Sequence, residues 1–332
     1  MIRVRTPSRL HFGLLSLPGL QVERWPNVSA EEVLPARRFG GVGLMVEEPG
    51  IVLTVSPAAS WSAEGPLAER ALAFARRFVQ TLPPGTLPPH RLIVEHSAAE
   101  HSGLGTGTQL ALAVARALAA AAELGEPDAI ELARRVGRGL RSAVGIHGFA
   151  HGGFLVEGGK RPGQEIAPLI ARLDFPEPWR VVLVFPPGGR AWHGLEEQQA
   201  FERLADPARA LARTEALCRL VMLGMMPALV ERDLEGFGEA LYDFNVRAGE
   251  AFAPVQGGTY ASPAVAAVVA YLRGLGARGV GQSSWGQAVF AIVAGSEHGR
   301  ELADRVRTRF GLGPGQVLVT RAANHGAIWK DE

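Results

Sequence analysis

The segment EHSGLGTGTQLALAVARALAAAAELG, Glu100 to Gly125, decides how the rest of the sequence is interpreted. Its glycines, Gly103, Gly105 and Gly107, lead directly into an Ala/Leu-rich stretch that is apolar nearly all round, which predicts a buried helix. The first N–H groups of a helix have no partner within the helix, and the helix dipole is positive at that end. The segment therefore predicts a central helix whose glycine turn binds an anion.

Two common nucleotide loops are excluded by the residues around the turn. A Walker A loop needs a lysine after its last glycine, but Gly107 is followed by Thr108. A Rossmann turn needs G-x-G-x-x-G directly after a strand, with an acidic residue at a later strand end, and here Glu123 lies inside the helix. The remaining interpretation is a phosphate or pyrophosphate site with an associated Mg²⁺. The alternative is a glycine turn that packs on a neighbouring strand, with Thr108 as a simple N-cap.

Composition narrows the class of protein. The chain has 332 residues, 47% of them hydrophobic, which favours one or two globular domains. Its net charge of +1 gives no broad electrostatic field that would attract nucleic acid or acidic membranes. Only Lys160 and Lys330 among the 34 basic residues are lysines, so a phosphate-binding cation should be arginine. The one cysteine, Cys218, excludes an intramolecular disulfide and is expected to be a buried core thiol. Without a signal peptide or an apolar span, we expect a cytoplasmic protein with no membrane association.

The order of predicted elements favours an α+β fold, because strands cluster early and no regular βαβ alternation follows. Strands are predicted near 2–5, 51–55, 91–95, 153–157, 180–185, 288–293 and 316–320, and helices near 66–80, 107–124, 127–141, 196–222, 227–236, 262–275 and 297–310. A domain boundary is expected near Asp174–Arg180, where prolines and Trp179 interrupt the periodicity.

Four strings together resemble the GHMP kinase superfamily. They are PSRLHFGL (Pro7–Leu14), SGLGTGTQLALA, RSAVGIHGFAHGGFLVEGG and GVGQSSWGQAVFAIV (Gly279–Val293). The resemblance implies a two-domain α+β fold, often dimeric. Residues 1–176 would form an N-terminal domain like ribosomal protein S5 domain 2, and residues 177–332 a ferredoxin-like C-terminal domain.

The departures from the kinase pattern point to one branch of the superfamily. Kinase members carry an aspartate where this chain has Gly145, and that aspartate orients or deprotonates the acceptor hydroxyl. Bulky Trp285 stands in the third glycine segment among smaller residues. These strings look like β-ribofuranosylaminobenzene 5′-phosphate synthases. Members of that branch condense phosphoribosyl pyrophosphate with 4-aminobenzoate or 4-hydroxybenzoate and release CO₂ and pyrophosphate in methanopterin synthesis. The nucleophile is a ring carbon, so the missing aspartate is no defect for this reaction.

The resemblance and the residue chemistry give a set of predicted site residues. Arg9 and His147 are predicted to be catalytic, with Arg9 as the leading cation for the substrate carboxylate. The predicted phosphate-binding residues are Gly103, Leu104, Gly105, Thr106, Gly107, Thr108, Ser283 and Ser284, with Thr106 and Thr108 near Mg²⁺. The predicted substrate-binding residues are Ser8, His11, Arg141, Ser142 and Trp285, the last as a stacking wall. Structural roles stay open for Arg9, Ser283, Ser284 and Trp285.

Three further interpretations remain to be tested. His147 and His151 would suit a metal on a helix, but four glycines predict that the segment is not helical: Gly145, Gly148, Gly152 and Gly153. An ATP-dependent small-molecule kinase with a relocated base is the main alternative function. A ligand sensor that keeps the loops without catalysis is the other.

Overall fold

The computed structural model describes residues 1–16, 37–188, 207–283 and 286–331, and elements are numbered along these residues. The predicted helix over 196–222 is described only from residue 207, and Ser284 and Trp285 lie outside the described residues.

Among the described residues, seven strands form the first sheet, in which β1 and β2 are long antiparallel neighbours. The strands are β1 Ile2–Ser16, β2 Phe39–Pro57, β3 Ser62–Glu64, β4 His90–His96, β5 Phe154–Glu157, β6 Leu169–Leu173 and β11 Ile328–Asp331. β2 pairs with β4 through its second half and with β5 through its first half, while β11 pairs with the outer edge of β1. The boundary after residue 176 stays a prediction, and the last strand of the chain completes this first sheet.

β2 is much longer than the strand predicted over 51–55. Glycines in the first half of β2 interrupt the run of β-branched and apolar residues that predicts a strand, and close packing requires these glycines. A side chain at Gly43 would collide with the Leu10 carbonyl of the neighbouring strand and with Val144. Glycine in a strand often marks such a close approach rather than a break.

Four helices follow the first strands: α1 Ala68–Val79, α2 Thr106–Ala121, α3 Ala129–Arg135 and α4 Val144–His151. Residues Leu110 to Ala115 of α2 are completely buried, as the sequence predicts for a central helix. α3 ends earlier than the predicted residue 141 because Gly137 and Gly139 take left-handed φ angles of 64° and 92°.

The prediction that residues 144–151 are not helical is wrong. α4 forms there, with Gly148 against the Met45 thioether and Gly145 against Thr108. The missing side chains let this helix approach its neighbours closely, which outweighs the low helix propensity of glycine.

The second sheet is antiparallel with strand order β10-β7-β9-β8, which is the ferredoxin-like arrangement. Its strands are β7 Arg180–Val184, β8 Gly279–Gln282, β9 Val289–Val293 and β10 Val317–Thr320. The helices of this half are α5 Pro207–Leu220, which continues through a π-helical turn Val221–Met225, then α6 Met226–Glu231, α7 Leu234–Glu250, α8 Ala253–Gln256, α9 Pro263–Gly274 and α10 Ser296–Phe310. The helix predicted over 227–236 is split because Asp233 accepts a hydrogen bond from Gly236 N and caps α7.

An apolar cluster joins the two sheets next to the glycine turn. Phe12 of β1 packs against Phe290 of β9 with ring centroids 5.0 Å apart and ring planes tilted by 48°, and Phe244 of α7 belongs to the same cluster. Cys218 is exposed on α5, so the prediction of a buried thiol is wrong; its neighbour Leu217 faces the core instead. No helix in the described ranges is long and apolar enough to cross a membrane.

Candidate active site

The glycine turn at the start of α2 is fixed by backbone conformation and by β1. Gly103 and Gly105 have φ angles of 94° and 69°, which glycine adopts at low cost. Leu104 is buried between them, and its carbonyl accepts a hydrogen bond from Arg9 N at 2.9 Å. Thr108 N bonds back to Gly105 O at 2.9 Å, so the turn presents the first N–H groups of a buried helix beside β1.

The third glycine segment packs directly on this turn. A side chain at Gly286 would collide with the backbone of Gly103, and Ala288 N donates to Ser102 O at 2.9 Å. The buried Ser283 hydroxyl donates to Gly103 O at 2.7 Å and accepts from His11 N at 3.0 Å. These bonds give Ser283 a bridging role between β1 and the turn, and they do not support its predicted role in phosphate binding.

Three arginines from separate elements surround the N-terminus of α2. Arg9 of β1 lies against Gly105, and its Nη2 is 3.5 Å from Gly103 O. Arg70 of α1 lies over Gly107, where its guanidinium occupies the space that a side chain would need. Arg138, in the turn after α3, donates from Nη2 to the Thr108 hydroxyl at 3.0 Å. We call Arg9, Arg70, Arg138 and the Gly103–Thr108 turn the anion cradle.

Sequence reasoning missed Arg70 and Arg138 because neither belongs to a recognisable motif. Arg70 also forms an ion pair with Glu100, and burial lowers its pKa, although a guanidinium keeps its charge in proteins. The charge concentrated here contrasts with the near-neutral chain and favours a ligand with more than one anionic group.

Gly145, which stands where kinases of the superfamily have an aspartate, faces the same anion cradle. A Cβ atom on Gly145 would lie 3.3 Å from Thr108 Cγ2 and 3.7 Å from Arg9 Cδ. The Gly145 carbonyl accepts a hydrogen bond from Gln109 Nε2 at 2.8 Å, which holds α4 against α2. A carboxylate at this position would therefore stand beside Arg9, and the chain has none there.

A buried polar chain lies next to the cradle. His11 Nε2 is 3.1 Å from the Ser142 hydroxyl oxygen, and that hydroxyl donates to the carboxylate of Glu157. Ala143 N and Gly159 N donate to the two carboxylate oxygens at 3.2 and 2.8 Å. A Cβ on Gly41 would lie 2.9, 2.9 and 3.0 Å from the His11, Ser142 and Glu157 polar atoms, so only glycine leaves them room.

Burial sets the ionisation states of Glu157 and His11. It raises the pKa of the fully buried Glu157 to about 6, against the lowering effect of the three hydrogen bonds and of Lys160. Burial, together with the charge of Arg9, holds the pKa of His11 well below its ordinary value, so the ring is neutral near pH 7. Sequence reasoning missed Glu157, whose only signal was a lone carboxylate ending the apolar strand FLVE.

The donors around the turn do not fit a resident Mg²⁺. Thr106 is buried and its hydroxyl donates to Ala99 O at 3.2 Å, while Thr108 is bonded to Arg138. Mg²⁺ prefers carboxylate and phosphate oxygens, and Glu100, the nearby carboxylate, is paired with Arg70. Among the described residues, no three His, Cys, Asp or Glu side chains come together as a metal site.

Other predicted residues lie away from the cradle or outside the described chain. His147 is buried, and its Nε2 donates to Ala167 O at 2.8 Å; burial lowers its pKa. This contact places the ring in the core and does not support a catalytic role. The buried Ser8 hydroxyl donates to the Pro49 carbonyl. Arg141 is half-buried near Lys160, and its role in substrate binding stays a prediction.

Family models and curated relatives match this chain over most of its length. The model for the GHMP kinases N terminal domain matches residues 67–153, and the model for GHMP kinases C terminal matches residues 225–312. A β-ribofuranosylphenol 5′-phosphate synthase from Methanothermobacter thermautotrophicus is 32% identical over 98% of this chain and 97% of the relative. The chain belongs to this synthase family, within the GHMP kinase superfamily. A second synthase of the same name, from Archaeoglobus fulgidus, is 33% identical over 73% of this chain and 74% of its own length.

Solved structures share the fold of this family at low identity. A homoserine kinase from Cytophaga hutchinsonii has a TM-score of 0.66 and 16% identity, covering 99% of this chain and 97% of that one. A mevalonate pyrophosphate decarboxylase from Streptococcus pyogenes has a TM-score of 0.64 and 11% identity, covering 98% of this chain and 97% of that one. The predicted superfamily and the predicted α+β fold are confirmed.

Proposed function

We propose that this synthase transfers the ribose 5-phosphate unit of phosphoribosyl pyrophosphate to the carboxyl-bearing carbon of 4-hydroxybenzoate. The observation that carries the proposal is a cradle of three arginines at a helix N-terminus, faced by glycine where kinases of the superfamily place a carboxylate. The phenol in the names of the relatives favours the hydroxy acid over 4-aminobenzoate as the acceptor.

The charge of the cradle suits the donor substrate. The pyrophosphate carries several negative charges, and the guanidiniums of the cradle, of which Arg70 is also paired with Glu100, would offset part of them together with the first N–H groups of α2. As the bond between C1 and the pyrophosphate oxygen breaks, both electrons leave with pyrophosphate. Positive groups fixed around the leaving oxygens stabilise this developing charge without further reorganisation.

The acceptor step requires no protein base at Gly145. The ring carbon that bears the carboxylate forms a bond to C1 of the ribose, and the ring loses its aromaticity for that moment. The bond to the carboxylate then breaks, its electron pair restores the aromatic ring, and CO₂ leaves. In contrast, transfer of a phosphoryl group to a hydroxyl uses a carboxylate to orient or accept the hydroxyl proton.

Other expectations accompany this proposal. Because the donors around the turn do not build a metal site, Mg²⁺ would enter bound to the pyrophosphate as part of the substrate. Arg9 is the proposed cation for the benzoate carboxylate, since it lies between the glycine turn and Gly145. Trp285 as a stacking wall, the domain boundary at residue 176 and a homodimer stay predictions.

The test compares donors with one acceptor. The protein is incubated with 4-hydroxybenzoate labelled in the carboxyl group, together with phosphoribosyl pyrophosphate or with ATP, and labelled CO₂ is collected. Release that requires phosphoribosyl pyrophosphate supports the proposal. In a parallel reaction with ATP and an alcohol, ADP release that depends on the alcohol, together with no labelled CO₂ from 4-hydroxybenzoate, would support the superfamily's kinase chemistry instead.

A further inference from the structure

The donor of the proposed reaction carries two separate anionic groups, and the anion cradle accounts for one of them. Phosphoribosyl pyrophosphate has its pyrophosphate on C1 of the ribose and a further phosphate on C5. An unpaired charge is costly to bury, so a closed site needs a second set of donors for the phosphate on C5. One loop next to the cradle has the charge and the free donors for this task.

This loop joins α3 to α4, and its first residue belongs to the cradle. Arg138 donates to the Thr108 hydroxyl at 3.0 Å, and Arg141 follows three residues later. Three residues of extended chain span at most about 11 Å. A ribose ring with its C5 atom separates the two phosphate groups that it carries by less than this span. One donor molecule can therefore contact the cradle and Arg141 together.

Lys160 holds the loop by its backbone carbonyl groups. The Lys160 Nζ donates to Gly139 O at 3.0 Å, to Leu140 O, and to Glu165 O at 3.3 Å. The backbone N–H groups of Gly139, Leu140 and Ser142 donate to no acceptor among the residues that the structure describes. Unpaired backbone N–H groups in a loop are common donors to anions, so the loop offers hydrogen bonds as well as charge.

Basic residues gather beside this loop with little acidic charge to offset them. The backbones of Arg38 and Lys160 exchange two hydrogen bonds of 2.9 Å, and Arg38 forms no ion pair with any described residue. The nearby carboxylate, Glu157, is buried, and backbone N–H groups bond to both of its oxygens. Burial lowers the pKa of Lys160, Glu157 raises it, and the charge of Arg141 lowers it again. Arg141 and Lys160 therefore repel each other, and a bound anion would relieve that repulsion.

We propose, given the function proposed above, that the loop Gly139–Ser142 binds the phosphate on C5 of the donor. Arg141 donates to the phosphate oxygens, the loop N–H groups add hydrogen bonds, and Lys160 is a positioning residue that holds the loop. The Ser142 hydroxyl takes no part, because His11 and Glu157 already engage it. With both of its ends held, the ribose has one orientation in the site, as attack on one face of C1 requires.

The experiment separates the two anionic ends of the donor. Calorimetric titration measures Kd for phosphoribosyl pyrophosphate, for ribose 1-pyrophosphate, which lacks the phosphate on C5, and for inorganic pyrophosphate. The variants are Arg141→Met, Arg141→Lys, which keeps the charge without the planar fork of donors, and Arg138→Met in the cradle. The matched control is Arg161→Met, which removes an exposed arginine one residue from Lys160. Thermal unfolding of each variant checks that it is folded.

Arg141→Met should weaken binding of phosphoribosyl pyrophosphate about tenfold, the size of one lost charge-assisted hydrogen bond, and should change Kd for the other two ligands less than about twofold. Arg138→Met should weaken all three ligands. Arg141→Lys should lose about threefold for phosphoribosyl pyrophosphate alone, and it decides the question if Arg141→Met does not fold.

Three results would overturn the inference: an equal loss for ribose 1-pyrophosphate in the Arg141 variants, no loss for phosphoribosyl pyrophosphate, or the same loss in Arg161→Met. Failure of wild type to bind phosphoribosyl pyrophosphate at all contradicts the proposed function itself, and the inference falls with it.

Discussion

Replacing Gly145 by aspartate should convert the anion cradle into a site that repels its own substrate. The new carboxylate would stand beside Arg9 and Thr108, because the added Cβ lies 3.7 Å from Arg9 Cδ and 3.3 Å from Thr108 Cγ2. The aspartate would neutralise part of the cradle and face the pyrophosphate. At a separation of about 6 to 8 Å and an effective dielectric constant of about 20, two like unit charges repel by roughly 2 to 3 kcal/mol.

That repulsion corresponds to a loss of roughly 30- to 160-fold in affinity for phosphoribosyl pyrophosphate. Gly145→Asn is the matched control, because it has the same shape without the charge, and Gly145→Ala isolates the effect of the added Cβ on Thr108. Calorimetric titration at low and moderate salt measures all three, and the difference between Asp and Asn should shrink as salt rises. Equal affinities for the Asp and Asn variants would refute the placement of the pyrophosphate beside Gly145.

Three further changes test separate parts of the site. Arg138→Met should weaken binding of phosphoribosyl pyrophosphate about tenfold and reduce its salt dependence, whereas Arg134→Met, at an exposed ion pair with Glu165, should leave both unchanged in the same titrations. Ser283→Ala should lower the free energy of unfolding by about 2 kcal/mol in denaturant titration, because buried groups of His11 and Gly103 lose their partner; unaltered stability would contradict the bridging role. The pKa of Glu157 rises from 4.5 to about 6 on folding, so this carboxyl group binds its proton more tightly in the folded state. Its stabilising contribution to the folded state is therefore present below pH 4.5 and is lost as the pH rises to 6. The free energy of unfolding of Glu157→Gln, measured relative to wild type, should therefore rise by about 2 kcal/mol between about pH 4.5 and 7. A difference in stability that does not change with pH would contradict the raised pKa.

The sequence predicted the parts of the site that depend on local backbone rules. The apolar periodicity predicted the buried helix α2, and the glycine spacing predicted the turn before it, because both are properties of consecutive residues. The cradle is different. Arg70 and Arg138 reach the turn from α1 and from the loop after α3, and only the packing of those elements brings them to one place.

Glycine misled the sequence interpretation in two ways. Gly148 was interpreted as a signal against a helix, yet it lies in α4, and Gly43 lies in the first half of β2, which was not predicted as a strand; each permits a close contact that a side chain would block. Two hydroxyl groups have partners that the sequence did not indicate. Ser283 and Thr106 had the right chemistry for phosphate, but both hydroxyls are bonded to backbone carbonyls, because buried polar groups must find partners within the fold.

The central claim is that pyrophosphate leaves while the benzoate loses its carboxyl group. The most direct measurement follows ¹³C from the carboxyl and from C1 of the ring of 4-hydroxybenzoate by NMR, together with pyrophosphate, during turnover with phosphoribosyl pyrophosphate. The account predicts equal amounts of labelled CO₂ and pyrophosphate, and a product in which the labelled ring carbon is bonded to C1 of the ribose. Pyrophosphate release without CO₂, or a product linked through the phenol oxygen with its carboxyl retained, would contradict it.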